Sequence, residues 1–119
     1  MTDSVLVAEH PAGDRVVGQL TLNVEKTLNS LTREMVEIIT DRLEAWADDD
    51  KVVAVFIDGA GEKAFCAGGD VQALRNSCIE TPGGPCEYAE HFFAREYRMN
   101  YLLHTYRKPL ICWGHGVVM

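Results

Sequence analysis

Apolar, β-forming residues dominate two short runs near the start of the chain. These β-rich runs, residues 4–8 and 15–22, flank a turn-forming stretch at 11–14, which predicts an antiparallel hairpin with a longer loop. Residues 23–30 are polar and predict a loop. A near-continuous apolar run at 51–58 is typical of a strand covered on both faces, so we expect the centre of a sheet there.

Two later stretches repeat apolar residues at helical spacing. Thr32 is a suitable N-cap for the first helix, which we expect to end near Asp48. Its apolar stripe consists of Val36, Ile39, Leu43 and Trp46. A long helix is expected over about 86–106. Lys108-Pro109 follows it, ends the helix and precedes a strand expected at 110–113.

The stretch 63–70 connects the central strand to a short helix expected over about 70–76. Its adjacent glycines, Gly68 and Gly69, let backbone N–H groups approach a ligand, and Asp70 is a good N-cap for the helix. The helical side chains expected to face inward are Val71 and Leu74. This pattern predicts a loop that builds a binding site.

One carboxylate interrupts the apolar stripe of the long helix. The stripe consists of Phe92, Met99, Leu103 and Tyr106. Glu96 falls near its middle, where burying an unpaired carboxylate costs folding free energy on the order of several kcal/mol. Two interpretations stay open: a pocket-facing carboxylate with a raised pKa suited to acid–base chemistry, or a buried ion pair. The candidate partners for an ion pair are Arg95, Arg98 and Arg107.

Composition narrows the class of protein. The 119 residues carry 11 Lys and Arg against 18 Asp and Glu, a net charge of −7, which argues against a general binder of nucleic acid or of anionic membranes. The four cysteines lack zinc-site spacing, so we expect free thiols and no metal. They are Cys66, Cys78, Cys86 and Cys112. Neither a signal peptide nor a membrane helix is expected, and the prediction is a cytoplasmic protein.

Other readings of the loop fit less well. Residues 59–64 match the letters GxGxxG/A of a dinucleotide-binding turn, but residues 65–69 interrupt the helix that such a turn should launch at once. Cys66 has no His or Asp placed to activate it, which favours a packing role. Only His115, between two glycines, has a site-like setting among the histidines, and a structural role is the more common one.

Several motifs in fixed order resemble the enoyl-CoA hydratase/isomerase (crotonase) superfamily. They are 29–31, 58–59, 63–71, 107–111 and 114–116, and together they extend the resemblance over nearly all of the chain. The stretches 91–97 and 115–119 look like the 3-hydroxyisobutyryl-CoA hydrolase branch.

The resemblance implies an α/β fold, a crotonase-like spiral of ββα units. It further implies that residues 1–119 form the N-terminal part of a single domain that is incomplete at the C-terminus. The expected function is the processing of acyl-CoA thioesters, hydrolase-like, with enoyl-CoA hydratase or isomerase and a non-catalytic CoA-binding or assembly fragment as alternatives. Coenzyme A would be part of the substrate, with no permanently bound cofactor, and family members commonly form homotrimers or hexamers.

The resemblance also assigns roles within the loop. The N–H of Gly69 would be one of two oxyanion-hole donors to the thioester oxygen, and Glu96 would contact the substrate. The expected coenzyme A-binding residues are Ala67, Gly68 and Asp70. The second donor would follow Met119, and its loss would forfeit about 3–4 kcal/mol of transition-state stabilisation. We therefore expect the 119-residue chain alone to be inactive.

Overall fold

The computed structural model describes residues 3–119 and holds a four-stranded sheet, a two-stranded sheet and three α-helices. The elements follow the order ββα twice, then a helix and two strands. They are β1 (Val5–Ala12), β2 (Arg15–Leu22), α1 (Arg33–Ala47), β3 (Val52–Gly59), β4 (Ala64–Cys66), α2 (Val71–Glu80), α3 (Glu87–His104), β5 (Leu110–Cys112) and β6 (Val117–Val118).

The larger sheet has the strand order β1-β2-β3-β5, and the smaller pairs β4 with β6. β1 and β2 are antiparallel, whereas β2–β3, β3–β5 and β4–β6 are parallel. One face of the large sheet packs on α1 and α3 around the buried core. No helix within residues 3–119 is both long and apolar enough to cross a membrane.

The structure confirms the predicted hairpin, but the prediction of a longer loop between its two strands is wrong. β1 continues through Pro11 to Ala12, which pairs with Arg15, so only Gly13 and Asp14 form the turn. Gly13 has φ +68°, a conformation that glycine adopts at the first central position of a two-residue hairpin turn. Proline fits here because β1 is an edge strand.

Helix α1 forms as predicted. The Thr32 hydroxyl accepts a hydrogen bond from the Met35 N–H at 3.2 Å, which satisfies one free donor of the first turn. All four residues of the predicted stripe are buried.

The expectation that β3 is covered on both faces is wrong. Val52, Val55 and Ile57 are buried, but Val53 is 37% exposed and Phe56 is half-buried. A register shift against β2 pairs Val16 with Val52 and Val17 with Ala54, so Val53 is an extra, bulged residue. Beyond the bulge, Val55 and Ile57 face the core and Phe56 points to the opposite face, which the helices of residues 3–119 cover less.

Helix α2 begins as predicted but runs four residues further, to Glu80. No Gly or Pro interrupts the sequence until Pro82, so nothing stops the helix near Asn76. Val71 does not face inward: it is 71% exposed, because the first turn projects it away from the core, whereas Leu74 packs partly against the core.

Over the last part of the chain the predicted helix is confirmed, but the strands differ from the prediction. Helix α3 lies within the predicted 86–106, but β5 ends at Cys112 and leaves Trp113 exposed. The short strands β4 and β6 were not predicted, since two or three residues carry no detectable alternation.

Candidate functional site

A parallel bridge between Leu31 and Gly69 sets the loop before α2. The Leu31 N–H donates to the Gly68 carbonyl at 2.7 Å, and the Asp70 N–H donates to the Leu31 carbonyl at 2.9 Å. This pattern turns the N–H of Gly69 away from Leu31. No acceptor for that N–H exists within residues 3–119, so it is available to a ligand.

The preceding residues use their N–H groups inside the protein. The Ala67 N–H donates to the Leu28 carbonyl at 3.0 Å, and the Gly68 N–H donates to the Cys66 sulfur at 3.3 Å. The carbonyl of Ala67 accepts no hydrogen bond from the described residues, which leaves it as the one group of Ala67 that can meet a ligand. Gly68, at φ +94°, has both backbone groups engaged and forms the turn.

Asp70 caps α2. Its carboxylate accepts the Ala73 N–H at 3.2 Å, so the acidic side chain is occupied in ordering the helix. Gly69 therefore lies immediately outside a helix N-terminus, where the partial positive charge of the helix favours an anionic ligand.

Helix α3 places two side chains against Gly69. A Cβ on Gly69 would stand 3.2 Å from Cε1 of Phe92 and 3.7 Å from Oε2 of Glu96. Phe92 is fully buried and cannot easily give way, which explains a glycine at this position. The Glu96 carboxylate therefore lies next to Gly69, the residue with the free N–H.

The ion-pair interpretation of Glu96 does not hold. Arg98 pairs with Glu44 and Arg107 pairs with Asp48, each at 2.7 Å. The remaining candidate, Arg95, donates its Nε–H to His91, and no cation of residues 3–119 lies within salt-bridge distance of Glu96. Partial burial raises the pKa of the Glu96 carboxyl above its ordinary value.

Cys66 has the predicted packing role. Its side chain is 4% exposed, and burial raises the pKa of its thiol; the Gly68 N–H opposes that rise and the charge of Glu96 adds to it. A protonated, enclosed thiol is a poor nucleophile.

A cavity of about 440 Å³ lies between the turn at 25–29 and the loop at 60–64. Charged residues on its wall are Glu25, Lys26, Glu62 and Lys63. Asn29 joins the two walls: its amide donates to the carbonyls of Ala60 and Ala64 at 3.1 and 3.0 Å. In the sequence Asn29 stands out only as part of a motif, because the two carbonyls that it binds lie more than 30 residues away.

A smaller cavity of about 170 Å³ is largely apolar and lies beside the loop and α3. Its wall includes Leu31, Cys66, Met99, Leu103 and Met119. Such a space suits a short aliphatic group.

His115 has a structural contact. Its Nε2 lies 2.8 Å from the Gly61 carbonyl, which anchors the segment before β6 to the loop at 60–64. Within residues 3–119, no group of three His, Cys, Asp or Glu side chains could hold a metal ion.

The sequence and the fold are similar to those of known proteins. The profile of the enoyl-CoA hydratase/isomerase family matches residues 17–119. The chain is 40% identical over 102 residues to the mitochondrial 3-hydroxyisobutyryl-CoA hydrolase of Danio rerio, covering 86% of this chain and 26% of that protein. It is 39% identical over 98 residues to the small ribosomal subunit protein mS47 of Neurospora crassa, covering 82% of this chain and 19% of that protein.

Among solved structures, a carnitinyl-CoA dehydratase from Mycobacterium thermoresistibile superposes with a TM-score of 0.86 and 43% identity. The match covers 99% of this chain and 32% of that chain. The predicted α/β crotonase-like fold is therefore confirmed for the N-terminal portion of such structures. The chain spans about a quarter of the length of the hydrolases it matches.

Proposed function

Because the chain belongs to the enoyl-CoA hydratase/isomerase family, we propose that it is the N-terminal part of an acyl-CoA thioester-processing enzyme, hydrolase-like in its chemistry. The proposed substrate is a short branched hydroxyacyl-CoA of the 3-hydroxyisobutyryl type. Support for this choice comes from the 40% identity to a hydrolase of that name and from Glu96 beside Gly69.

The observation that carries the proposal is the free N–H of Gly69. The N–H groups of Ala67, Gly68 and Asp70 are bonded inside the protein, whereas that of Gly69 has no acceptor within residues 3–119 and Gly69 lies next to Glu96. A thioester oxygen placed there would accept the hydrogen bond. Attack on the thioester carbon builds negative charge on that oxygen, and a preorganised donor at a helix N-terminus stabilises the charge by about 3 kcal/mol.

Glu96 supplies the second interaction in the proposed scheme. Its carboxylate contacts the acyl group, and its raised pKa brings it toward the range useful for moving a proton. The apolar cavity walled by Leu31 and Met99 would hold the aliphatic part of the acyl chain.

The rest of coenzyme A would follow the loop. The Ala67 carbonyl is free to accept a hydrogen bond, and Lys26 and Lys63 on the 440 Å³ cavity would pair with phosphates against the repulsion of Glu25 and Glu62 on the same wall. In this proposal Gly68 and Asp70 act through the backbone they shape rather than through their own contacts, since their polar groups are occupied.

A pair of variants in the full-length protein tests the function. Glu96→Gln should lower kcat/KM on 3-hydroxyisobutyryl-CoA by about 10²–10⁴, measured as release of free coenzyme A. Glu90→Gln, an exposed residue of the same helix, is the matched control and should keep kcat/KM within about twofold. Wild-type kcat/KM in Glu96→Gln would remove the residue from the scheme.

Hydration or dehydration is the second candidate, favoured by the 43% identity to a carnitinyl-CoA dehydratase structure. The same full-length protein assayed with crotonyl-CoA separates the two reactions: loss of the enoyl double bond without free coenzyme A supports a hydratase.

A non-catalytic role is the third candidate, supported by the 39% identity to a ribosomal subunit protein. Calorimetry of the chain with coenzyme A tests it: binding without turnover supports a coenzyme A-binding fragment, and no binding supports an assembly role.

We also propose a homo-oligomer, a trimer or hexamer, in the cytoplasm. Support for self-association is a row of exposed aromatic side chains at helical spacing on α3, Phe93, Tyr97 and Tyr101. Light scattering of the full-length protein measures its oligomeric state, and cell fractionation measures its compartment, which for the matched hydrolases is mitochondrial by name.

A further inference from the structure

Two cysteines face each other across the loop between α2 and α3. Cys78 lies in the last turn of α2, and Cys86 is the N-cap of α3. The thiol of Cys78 donates to the sulfur of Cys86, with the two sulfur atoms 2.9 Å apart. A disulfide bond is about 2.05 Å long, so a movement of about 1 Å joins the sulfur atoms.

The surroundings of the pair give the two thiols different reactivity. The pKa of the Cys86 thiol is lowered by its hydrogen bonds with Cys78 and Ser77 and by the nearby N–H of Ala89, against weaker opposing effects of burial and Glu90. The pKa of Cys78 is raised, mainly because it is the donor in that hydrogen bond. Cys86 is therefore the attacking sulfur and Cys78 the resolving one.

A reagent can reach this pair. Cys78 and every residue of the connecting segment 79–85 are exposed, and Cys86 is half-buried. The other thiols differ: Cys66 is enclosed, and Cys112 has no sulfur within hydrogen-bonding distance among residues 3–119. Geometry thus singles out one pair of the four cysteines.

We propose that Cys78 and Cys86 are a redox modification site, which forms a reversible intramolecular disulfide by exchange with a small disulfide such as oxidised glutathione. The Cys86 thiolate attacks one glutathione sulfur, breaks its S–S bond and releases one glutathione thiolate. The Cys78 sulfur then attacks Cys86 and releases the second glutathione. The two protein thiols are oxidised, glutathione disulfide is reduced, and the two thiol protons end on the two glutathione molecules.

The disulfide would tie together the helices that carry the candidate site. Helix α2 begins next to Gly69, and α3 carries Phe92 and Glu96. A covalent link at Cys78 and Cys86 closes the segment 79–85 and restricts how far the two helix ends separate. This inference does not depend on the proposed enzymatic function, and its test uses no activity.

The test is equilibration of the reduced chain in glutathione buffers, followed by peptide mapping without reductant. The expected product is a peptide linking Cys78 to Cys86 with a mass loss of about 2 Da for the two hydrogens removed. The native fold should favour closure about tenfold over the chain in concentrated urea, which corresponds to a reduction potential about 30 mV lower.

Serine variants complete the design. The Cys78→Ser chain should form only a glutathione adduct on Cys86 and no internal disulfide. Cys112→Ser is the control and should form the Cys78–Cys86 disulfide to the same extent as the unmodified chain. Serine is itself a good N-cap, so Cys86→Ser keeps α3 and should leave Cys78 largely unmodified. Absence of the linked peptide, or equal closure in urea and in buffer, would overturn the proposal.

Discussion

Asn29 joins distant parts of the chain through one buried amide. The side chain is 1% exposed and also accepts the Val24 N–H at 2.8 Å, in addition to its two donations to carbonyls of the loop at 60–64. Its backbone is left-handed at φ +58°, which asparagine tolerates better than most residues. Both properties select asparagine at this position.

We expect Asn29→Ala to lower the free energy of unfolding by about 2–4 kcal/mol, because it leaves buried backbone groups unpaired and strains the backbone. Asn29→Gly loses the same hydrogen bonds but relaxes the backbone, so it should cost about 1 kcal/mol less. Urea unfolding measures both. Asn76→Ala, exposed on α2, is the control and should change stability by less than about 0.5 kcal/mol. An Asn29→Ala chain as stable as the control would contradict this role.

Glu96 shows how far residue chemistry could be predicted. Its anomalous place on the helical wheel followed from spacing alone, but its closeness to Gly69 depends on α3 crossing a loop 27 residues earlier in the sequence. Only the structure could reject an ion pair for Glu96, because it shows that Arg98 pairs with Glu44 of α1 and Arg107 pairs with Asp48 at the end of α1.

The raised pKa of Glu96 gives a pH prediction with a definite sign. The folded state holds the proton more tightly than the unfolded state, so the wild-type chain loses stability as pH rises from the ordinary glutamate pKa, about 4.3, through the raised folded value. Glu96→Gln does not titrate. The stability of this variant relative to wild type should therefore be lowest at acidic pH, increase through that window and level off above it.

Urea unfolding at several pH values measures the difference between the two chains, and Glu90→Gln is again the matched control. A difference between Glu96→Gln and wild type that is independent of pH would contradict the raised pKa.

At the scale of elements, helix α2 positions the free N–H of Gly69. Asp70 both caps α2 and donates its own N–H to Leu31, so the cap and the bridge at Gly69 are adjacent. Asp70→Ala should lower the free energy of unfolding by about 1 kcal/mol and speed amide exchange in the first turn, because the Ala73 N–H loses its acceptor. Asp70→Asn keeps an acceptor oxygen and should stay within a few tenths of a kcal/mol of wild type.

Hydrogen exchange read by mass spectrometry and urea unfolding report on this cap. Equal losses in Asp70→Ala and Asp70→Asn would show that the capping oxygen is not the cause.

The sequence predicted elements well where a long periodic face meets the core. The four-residue stripe of α1 and its cap at Thr32 are local signals, and both were right. The strands β4 and β6 were missed because two- and three-residue pairings are decided by distant partners such as Ala64 with Val117. The extension of α2 was missed although a local signal for it exists, since no Gly or Pro occurs before Pro82. Val71 was placed inward from the pattern alone, although orientation in a first turn depends on how the cap sets the helix.

At the scale of the whole molecule, several large apolar side chains are exposed around the last two strands, β5 and β6. Ile111, Trp113, Val118 and Met119 are all exposed, Met119 at 83%, around β5 and β6. The matched dehydratase structure is about three times as long as this chain. Burial of such apolar area is worth about 25 cal/mol per Å².

This surface bears on activity because the resemblance assigns the second oxyanion donor to residues after Met119. With only the Gly69 N–H in place, the 119-residue chain should lose about 3 kcal/mol of transition-state stabilisation, or about 10²–10³ in kcat, relative to a longer protein that contains both donors. Release of coenzyme A from 3-hydroxyisobutyryl-CoA, measured for both proteins at equal molarity, checks this. Turnover by the chain within tenfold of the longer protein would mean that Gly69 does not share its oxyanion with a donor beyond Met119.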